Sequence, residues 1–165
     1  MSAPADSAWL TAERAAYLQG GVSISLASRD AALRPSLAKG LGCRVLAGGE
    51  LRLYVDARQS EALLRDVRAC GQLAVVFSEI ASHRALQLKA GDARVVDLDA
   101  EDQRRVDAHA AAYGAAILAL GYPADMVAAF LAHRVEDRRA ISCHPGDAFQ
   151  QTPGPQAGSR IEAGG

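Results

Sequence analysis

The sequence has little of what would assign a function at sight. Its three cysteines, Cys43, Cys70 and Cys143, are scattered and odd in number. Reduced, mostly buried thiols are the expectation, because a disulfide framework needs paired, closely spaced residues. No Cys-x-x-Cys pair and no close histidine cluster supports a structural metal site, and none is expected. Charge of one sign is missing too: 18 basic residues stand against 19 acidic ones. That balance leaves no electrostatic footprint for nucleic acid or for an anionic membrane. Half of the residues are apolar, yet no run approaches the length that spans a bilayer. The start of the chain has no basic region followed by an apolar stretch, so no secretory leader is expected and the location reads as cytoplasmic. Phosphate loops of the Walker or Rossmann type, His-Glu-x-x-His and a defensible Ser-His-Asp spacing are all missing. What remains is a chain of 165 residues. It is expected to form one domain over 1–165, with flexible ends at 1–10 and 159–165.

Periodicity then carries the reading. Leu51, Leu53 and Val55 alternate with Arg52 and Tyr54, the pattern of a half-buried strand. Ser60 can cap a helix that has Glu61 in its first turn, Leu63, Leu64 and Val67 on one face, and Gly71 as its stop. Leu73 to Phe77 is a continuous apolar run, expected to be a strand buried on both faces. Leu86 and Leu88 alternate with Gln87 and Lys89 in a further strand. Before this stretch, Thr11 to Gln19 reads as a short capped helix. Val22, Ile24 and Leu26 then share one strand face, with Ser23 and Ser25 on the other. The second strand of the chain starts near Pro35 and turns back through Ala47 to Glu50 into the strand at Leu51, which makes the first three strands a meander. After Ala93 to Leu98, Asp99 caps a long helix, and Val106, Ala110, Tyr113, Ile117 and Leu120 fall at helical spacing. A second helix carries Met126, Val127, Phe130 and Leu131 as its apolar face, and Arg138 to His144 reads as the last strand. Strands early, a helical pair late and a final strand describe an α+β, mainly β fold: an antiparallel split β-barrel with flanking helices.

Two polar clusters stand at strand mouths. Arg58, Gln59 and Ser60 lie between a strand end and a helix start, where N–H groups, a hydroxyl and a guanidinium make an anion site. The plainer alternative is that Ser60 only caps the helix while Arg58 is solvated. Ser82, His83 and Arg84 open the strand that carries Gln87. There the alternative is an ordinary polar turn. His109 reads as structural or exposed, and His144 as a ligand or a strand end.

These segments, in order and spacing, resemble the core of the pyridoxamine 5′-phosphate oxidase-like family. The residues that carry the resemblance are Leu51-Arg52-Leu53-Tyr54-Val55, the turn to Ser60 with its helix, Ala74-Val75-Val76-Phe77 and Arg84-Ala85-Leu86-Gln87-Leu88-Lys89. The ending Gln151-Thr152-Pro153-Gly154-Pro155-Gln156-Ala157-Gly158 is similar to the tail of one branch of that family. The resemblance implies an FMN-binding split barrel that forms a homodimer, with a flavin in each cleft between subunits. It places the flavin phosphate at Arg58, Gln59 and Ser60, with Arg34 and Ser36 contributing from the preceding strand. It lays the strand from Arg84 along the flavin edge, with Ser82, His83 and Gln87 beside it. Two departures argue against vitamin B6 as the substrate. The family's Arg-Gln-apolar-Arg-apolar-Glu-Gly reads Arg84-Ala85-Leu86-Gln87-Leu88-Lys89-Ala90 here, and its Thr-Asn turn reads Val55-Asp56. The expected function is a flavin-dependent oxidoreductase acting on a small molecule. The alternative is a haem-binding or non-catalytic flavin-binding module of the same fold, with His144 as the haem candidate. The tail from Ala148 to Gly158 is expected to be ordered, with Phe149 as its anchor.

Overall fold

The computed structural model describes residues 9–162. Helix α1 (Ala12–Leu18) is capped by Thr11, whose side chain accepts from the Arg14 N–H. Strands β1 (Ser23–Arg29), β2 (Pro35–Val45) and β3 (Leu51–Asp56) follow as antiparallel neighbours, the meander that the sequence predicts. Helix α2 (Glu61–Cys70) ends at Gly71, whose φ of 66° is the left-handed conformation that closes a helix. Strands β4 (Leu73–Ser78), β5 (Ala85–Ala90) and β6 (Arg94–Val96) lead to the helical pair α3 (Ala100–Ala119) and α4 (Ala124–Leu131). The chain returns through β7 (Arg138–Cys143) and ends in β8 (Asp147–Gln150), a strand the sequence does not announce.

All strand pairings are antiparallel, in the order β6-β7-β3-β2-β1-β4-β5-β8. The curled, unclosed sheet buries one face around Ile24, Leu26, Leu53, Phe77, Leu88 and Ile141, and α2 plugs it with Leu63, Leu64 and Val67. Near the middle of β2 the register shifts between Gly40 and Gly42, so one extra residue turns Leu41 to the opposite face. There Leu41 meets Tyr54, Val106 and Ala140 in a second, smaller core under α3. Tyr54 is therefore fully buried, although the alternation of β3 suggests an open face. β4 departs the other way. Ala74 and Val76 are half-exposed, so the apolar run from Leu73 to Phe77 is buried on one face only. On α4 only Val127 is buried, while Met126 and Phe130 remain 46% exposed.

Helix α3 is held by a charged cluster. Asp99 and Asp102 form a reciprocal capping box. The Asp102 carboxylate, with no solvent exposure, accepts from Arg44 (3.0 Å), Arg52 (2.6 Å) and the Tyr54 hydroxyl (2.7 Å). Burial alone would raise the Asp102 carboxyl. The Asp99 N–H, the Tyr54 hydroxyl and the two guanidiniums outweigh it and hold the group below the usual carboxylate range.

About two turns further along α3, His109 is buried, and its Nε2–H donates to the Val22 carbonyl at 2.9 Å. Burial, aided by the charge of Lys39, lowers its pKa despite that bond. A histidine depressed in the folded state binds its proton more readily when unfolded, so stability falls as pH drops below the ordinary value of about 6.5. Urea midpoints should therefore decline between pH 7 and pH 5, and His109→Gln should flatten that decline. A wild-type slope unchanged in the variant would exclude His109 as its origin.

The ends are tied down where they are described. Trp9 is buried, and its indole N–H donates to the Pro145 carbonyl at 3.3 Å. The tail folds back as a hairpin in which Arg160 faces Phe149 and the Ile161 N–H donates to the Ala148 carbonyl. The expected order from Ala148 to Gly158 is present. Of the ends expected to be flexible, residues 1–8 and 163–165 lie outside the described residues. No helix among the described residues is long and apolar enough to cross a membrane.

Candidate functional site

The β3–α2 junction forms one wall of a cleft of about 540 Å³. β3 delivers Asp56 to the sheet end, where its carboxylate accepts from the Arg58 N–H (2.8 Å) and the Gln59 N–H (3.4 Å). This turn, closed by an aspartate onto its own backbone, pushes the Arg58 and Gln59 side chains into the open. The opposite wall is the segment after α4, with His133, Arg134 and Asp137. Among the described residues the Arg58 guanidinium has no ion-pair partner, and the residue's hydrogen bond is through its backbone. Arg134 pairs with Glu136 and lies 3.9 Å from Asp137. His133 accepts from Arg138 at Nε2 (3.0 Å), which leaves the proton on Nδ1 to donate to the Leu131 carbonyl (2.9 Å). These two bonds fix the orientation of the ring.

The expected convergence of hydroxyl and backbone N–H groups on one anion is only partly present. Ser60 occupies the cap position of α2 but makes no side-chain cap bond, and its Oγ is buried without a partner. Asp56 already occupies the N–H groups of Arg58 and Gln59. Side chains, not backbone, are what this cleft offers an anion. Lys39, which the sequence reading did not single out, sits beside it. Its Nζ donates to the Phe130 carbonyl and lies 3.9 Å over the Phe130 ring. Burial lowers the Lys39 pKa, and the charge of Asp56 works against that. The available signal was a lysine within a strand between Leu37 and Leu41, where a charge needs a reason.

Phe130 also borders a second cleft, an apolar groove of about 550 Å³ between the helical pair and the β4–β5 turn. Ile80, Tyr113, Ile117, Met126 and Val127 form its walls, and His83 stands in them as an exposed imidazole. His83 has a φ of 59°, uncommon for a residue with a side chain, inside a turn closed by Glu79 and Arg84.

The remaining sequence candidates lie apart from these walls. Arg34 is solvent-exposed in the β1–β2 hairpin and pairs with Asp30 at 2.8 Å. Ser36 is buried, with an unpartnered Oγ. Ser82 bonds Glu79 on the surface. Arg84 pairs with Glu13 at 2.9 Å and stacks on Tyr17, away from the β3–α2 cleft. Gln87 lies on the outer sheet face and accepts from the Gln151 amide at 3.1 Å. His144 is bound to Asp92 at 2.8 Å and lines neither cleft. The structure thus brings Arg58 and Gln59 together, keeps Ser60 behind them, and places the other candidates elsewhere.

No protein-family model matches the sequence, and no curated protein matches it either. Solved structures do match the fold. A Lactobacillus delbrueckii protein provisionally named a pyridoxamine 5′-phosphate oxidase aligns over 85% of this chain and 93% of its own, at 17% identity and a TM-score of 0.51. HupZ of Group A Streptococcus aligns over 90% of this chain and 99% of its own, at 13% identity and a TM-score of 0.50. At such identities the likeness is one of fold, and the fold is the pyridoxamine 5′-phosphate oxidase-like split barrel.

Proposed function

We propose that the chain binds FMN as a homodimer and works as a flavin-dependent oxidoreductase on a small molecule. The observation that carries this reading is the Arg58 guanidinium, exposed without a carboxylate partner, beside Gln59 in the β3–α2 cleft. The fold raises the prior by analogy only. The side chains fit a phosphate: arginine can give it two charge-assisted hydrogen bonds, and the Gln59 amide a third. The backbone of the turn does not add to these, because Asp56 holds it. Asp56 instead fixes the turn from which Arg58 projects. A bound flavin would supply the redox chemistry, leaving the protein to position it and control water. Lys39 would place a cation beside the cofactor's acidic end.

A second copy has a suitable surface. On the outer sheet face Lys39, Ser25, Val76, Gln87 and Phe149 lie in register across neighbouring strands. Small residues flank that row at Ala27 and Ala74, and Leu37 stands 73% exposed at its margin. Such a flat, partly apolar face suits a self-complementary two-fold contact.

The test is a titration of apo-protein with FMN, followed by flavin fluorescence quenching. Arg58→Ala should weaken binding about tenfold to hundredfold, the loss of one charged hydrogen bond worth roughly 1.5–3 kcal/mol. Light scattering on the same samples should give twice the chain mass. Equal dissociation constants would remove Arg58 from the site, and no binding by the wild type would remove the flavin reading.

A second reading is favoured by the apolar groove. Apolar walls with a single imidazole, His83, suit a planar macrocycle such as haem, whose iron that imidazole would hold. Its signature is a Soret band on haem addition that His83→Ala removes and Arg58→Ala leaves intact.

A further inference from the structure

A third cleft, of about 340 Å³, draws on three distant parts of the chain. Arg14 comes from α1, Arg84 from the start of β5, and Arg160 from the returning arm of the C-terminal hairpin. Gathering like charges is unfavourable unless something of opposite charge answers them. Arg84 is answered by Glu13 (2.9 Å) and Arg160 by Asp147, neither of which lines the cleft. Arg14 has no carboxylate partner among the described residues. Its Nη1 donates to the Trp9 carbonyl at 2.6 Å, which holds the guanidinium in place and leaves its other N–H groups unused. Glu162 is the single acidic residue in the lining. Arg84 is also held from behind, its guanidinium carbon 4.7 Å from the centre of the Tyr17 ring. Tyr17 is itself fixed by donating to the Arg84 carbonyl at 2.7 Å.

We propose that this cleft binds a small phosphorylated molecule. Guanidinium groups present paired N–H donors that match the oxygens of a phosphate, and arginine serves this role better than lysine. Two of the three cations are already paired and Glu162 also lines the cleft, so what it offers is directed N–H donors rather than excess charge, which suits one phosphate group rather than a polyanion. The volume lies near the lower end for ligand pockets, which limits the ligand to a phosphate with a small organic body. The site shares no lining residue with the β3–α2 cleft, so its occupancy is independent of the flavin reading.

The tail gives the ligand a structural consequence. Gln156, Ser159 and Arg160 belong to the C-terminal hairpin, whereas Arg14 and Arg84 belong to the body of the domain. A bound phosphate would tie the hairpin to α1 and β5. Trypsin cleavage after Arg160 reads out that tie directly.

Calorimetry with inorganic phosphate and with glycerol 3-phosphate, together with trypsin timing, tests the proposal. The wild type should bind glycerol 3-phosphate saturably, one per chain, and cleavage after Arg160 should slow when it is bound. Arg14→Gln and Arg160→Gln should each weaken binding about tenfold to hundredfold, and Arg58→Ala should leave it unchanged. Arg14→Gln should also abolish the ligand's protection from trypsin without changing cleavage in its absence. No saturable binding, binding unaffected by both arginine variants, or binding lost in Arg58→Ala alone would each overturn the assignment.

Discussion

Replacing Asp102 with alanine should destabilise the fold by about 3–5 kcal/mol, the range for removing one partner from a buried ion pair. The carboxylate is fully buried and answers Arg44, Arg52 and the Tyr54 hydroxyl at once. Its loss leaves a buried phenol without an acceptor, leaves two neighbouring guanidiniums with only the half-exposed Asp99 as counter-charge, and breaks half of the α3 capping box. For a chain of this size each kcal/mol moves the melting temperature by roughly 2–4 °C, so the drop should be on the order of 10 °C. Asp99→Ala is the control. Its side chain is 50% exposed, and an N-cap substitution costs about 1 kcal/mol. Calorimetric melts of the two variants should therefore separate clearly. Equal shifts would mean that the cap alone matters and that the network beneath it contributes nothing measurable.

Gly21→Ala should be the next most damaging of these substitutions. A Cβ on Gly21 would stand 2.7 Å from the carbonyl carbon and oxygen of Ala112 and 3.0 Å from the Tyr113 nitrogen. These are backbone atoms of α3, which cannot swing aside as a side chain would. The helix must move away from the start of β1, and the neighbouring bond from His109 to the Val22 carbonyl goes with it. Overpacking of this kind costs about 1–3 kcal/mol, and the lost hydrogen bond about 1 more. Denaturant midpoints should show that loss. Hydrogen exchange should locate it in α3 rather than in β4 and β5. A loss below about 0.5 kcal/mol, the scale of ordinary surface substitutions, would refute the close contact.

Much of the barrel could be read from the chain because its strands have one face in water. Ile24 and Leu26 alternate with Ser23 and Ser25, and the period of two survives in the composition. What could not be read were the places where a second layer covers that open face. Tyr54 looks like a solvent-facing residue of β3 until α3 is known to lie over it. Met126 and Phe130 fall at helical spacing and look like core, yet α4 packs along Val127 and Leu131. β8 is only four residues long and buries only Ala148, too short for any period to register. At the candidate site Arg58 and Gln59 were legible because a strand end followed by a helix start is a recognisable place for an anion. That Asp56 would occupy the N–H groups of that turn was not legible. A strand's last residue carries no mark of which way its carboxylate bends.

The C-terminal hairpin also bears on how one border of the sheet is covered. An open sheet has two unpaired borders, each a template for another chain's backbone. One border here is β6, three residues long and too short to recruit much. The other would be β5, six residues alternating apolar and polar, the kind of strand that seeds intermolecular pairing. β8 pairs with it, and the returning arm through Arg160 meets β8 in turn. The glycine- and proline-rich tail thus works as a guard against self-association by strand addition. Only a chain cut ahead of Asp147 would lose that cover, since β8 itself carries the pairing to β5.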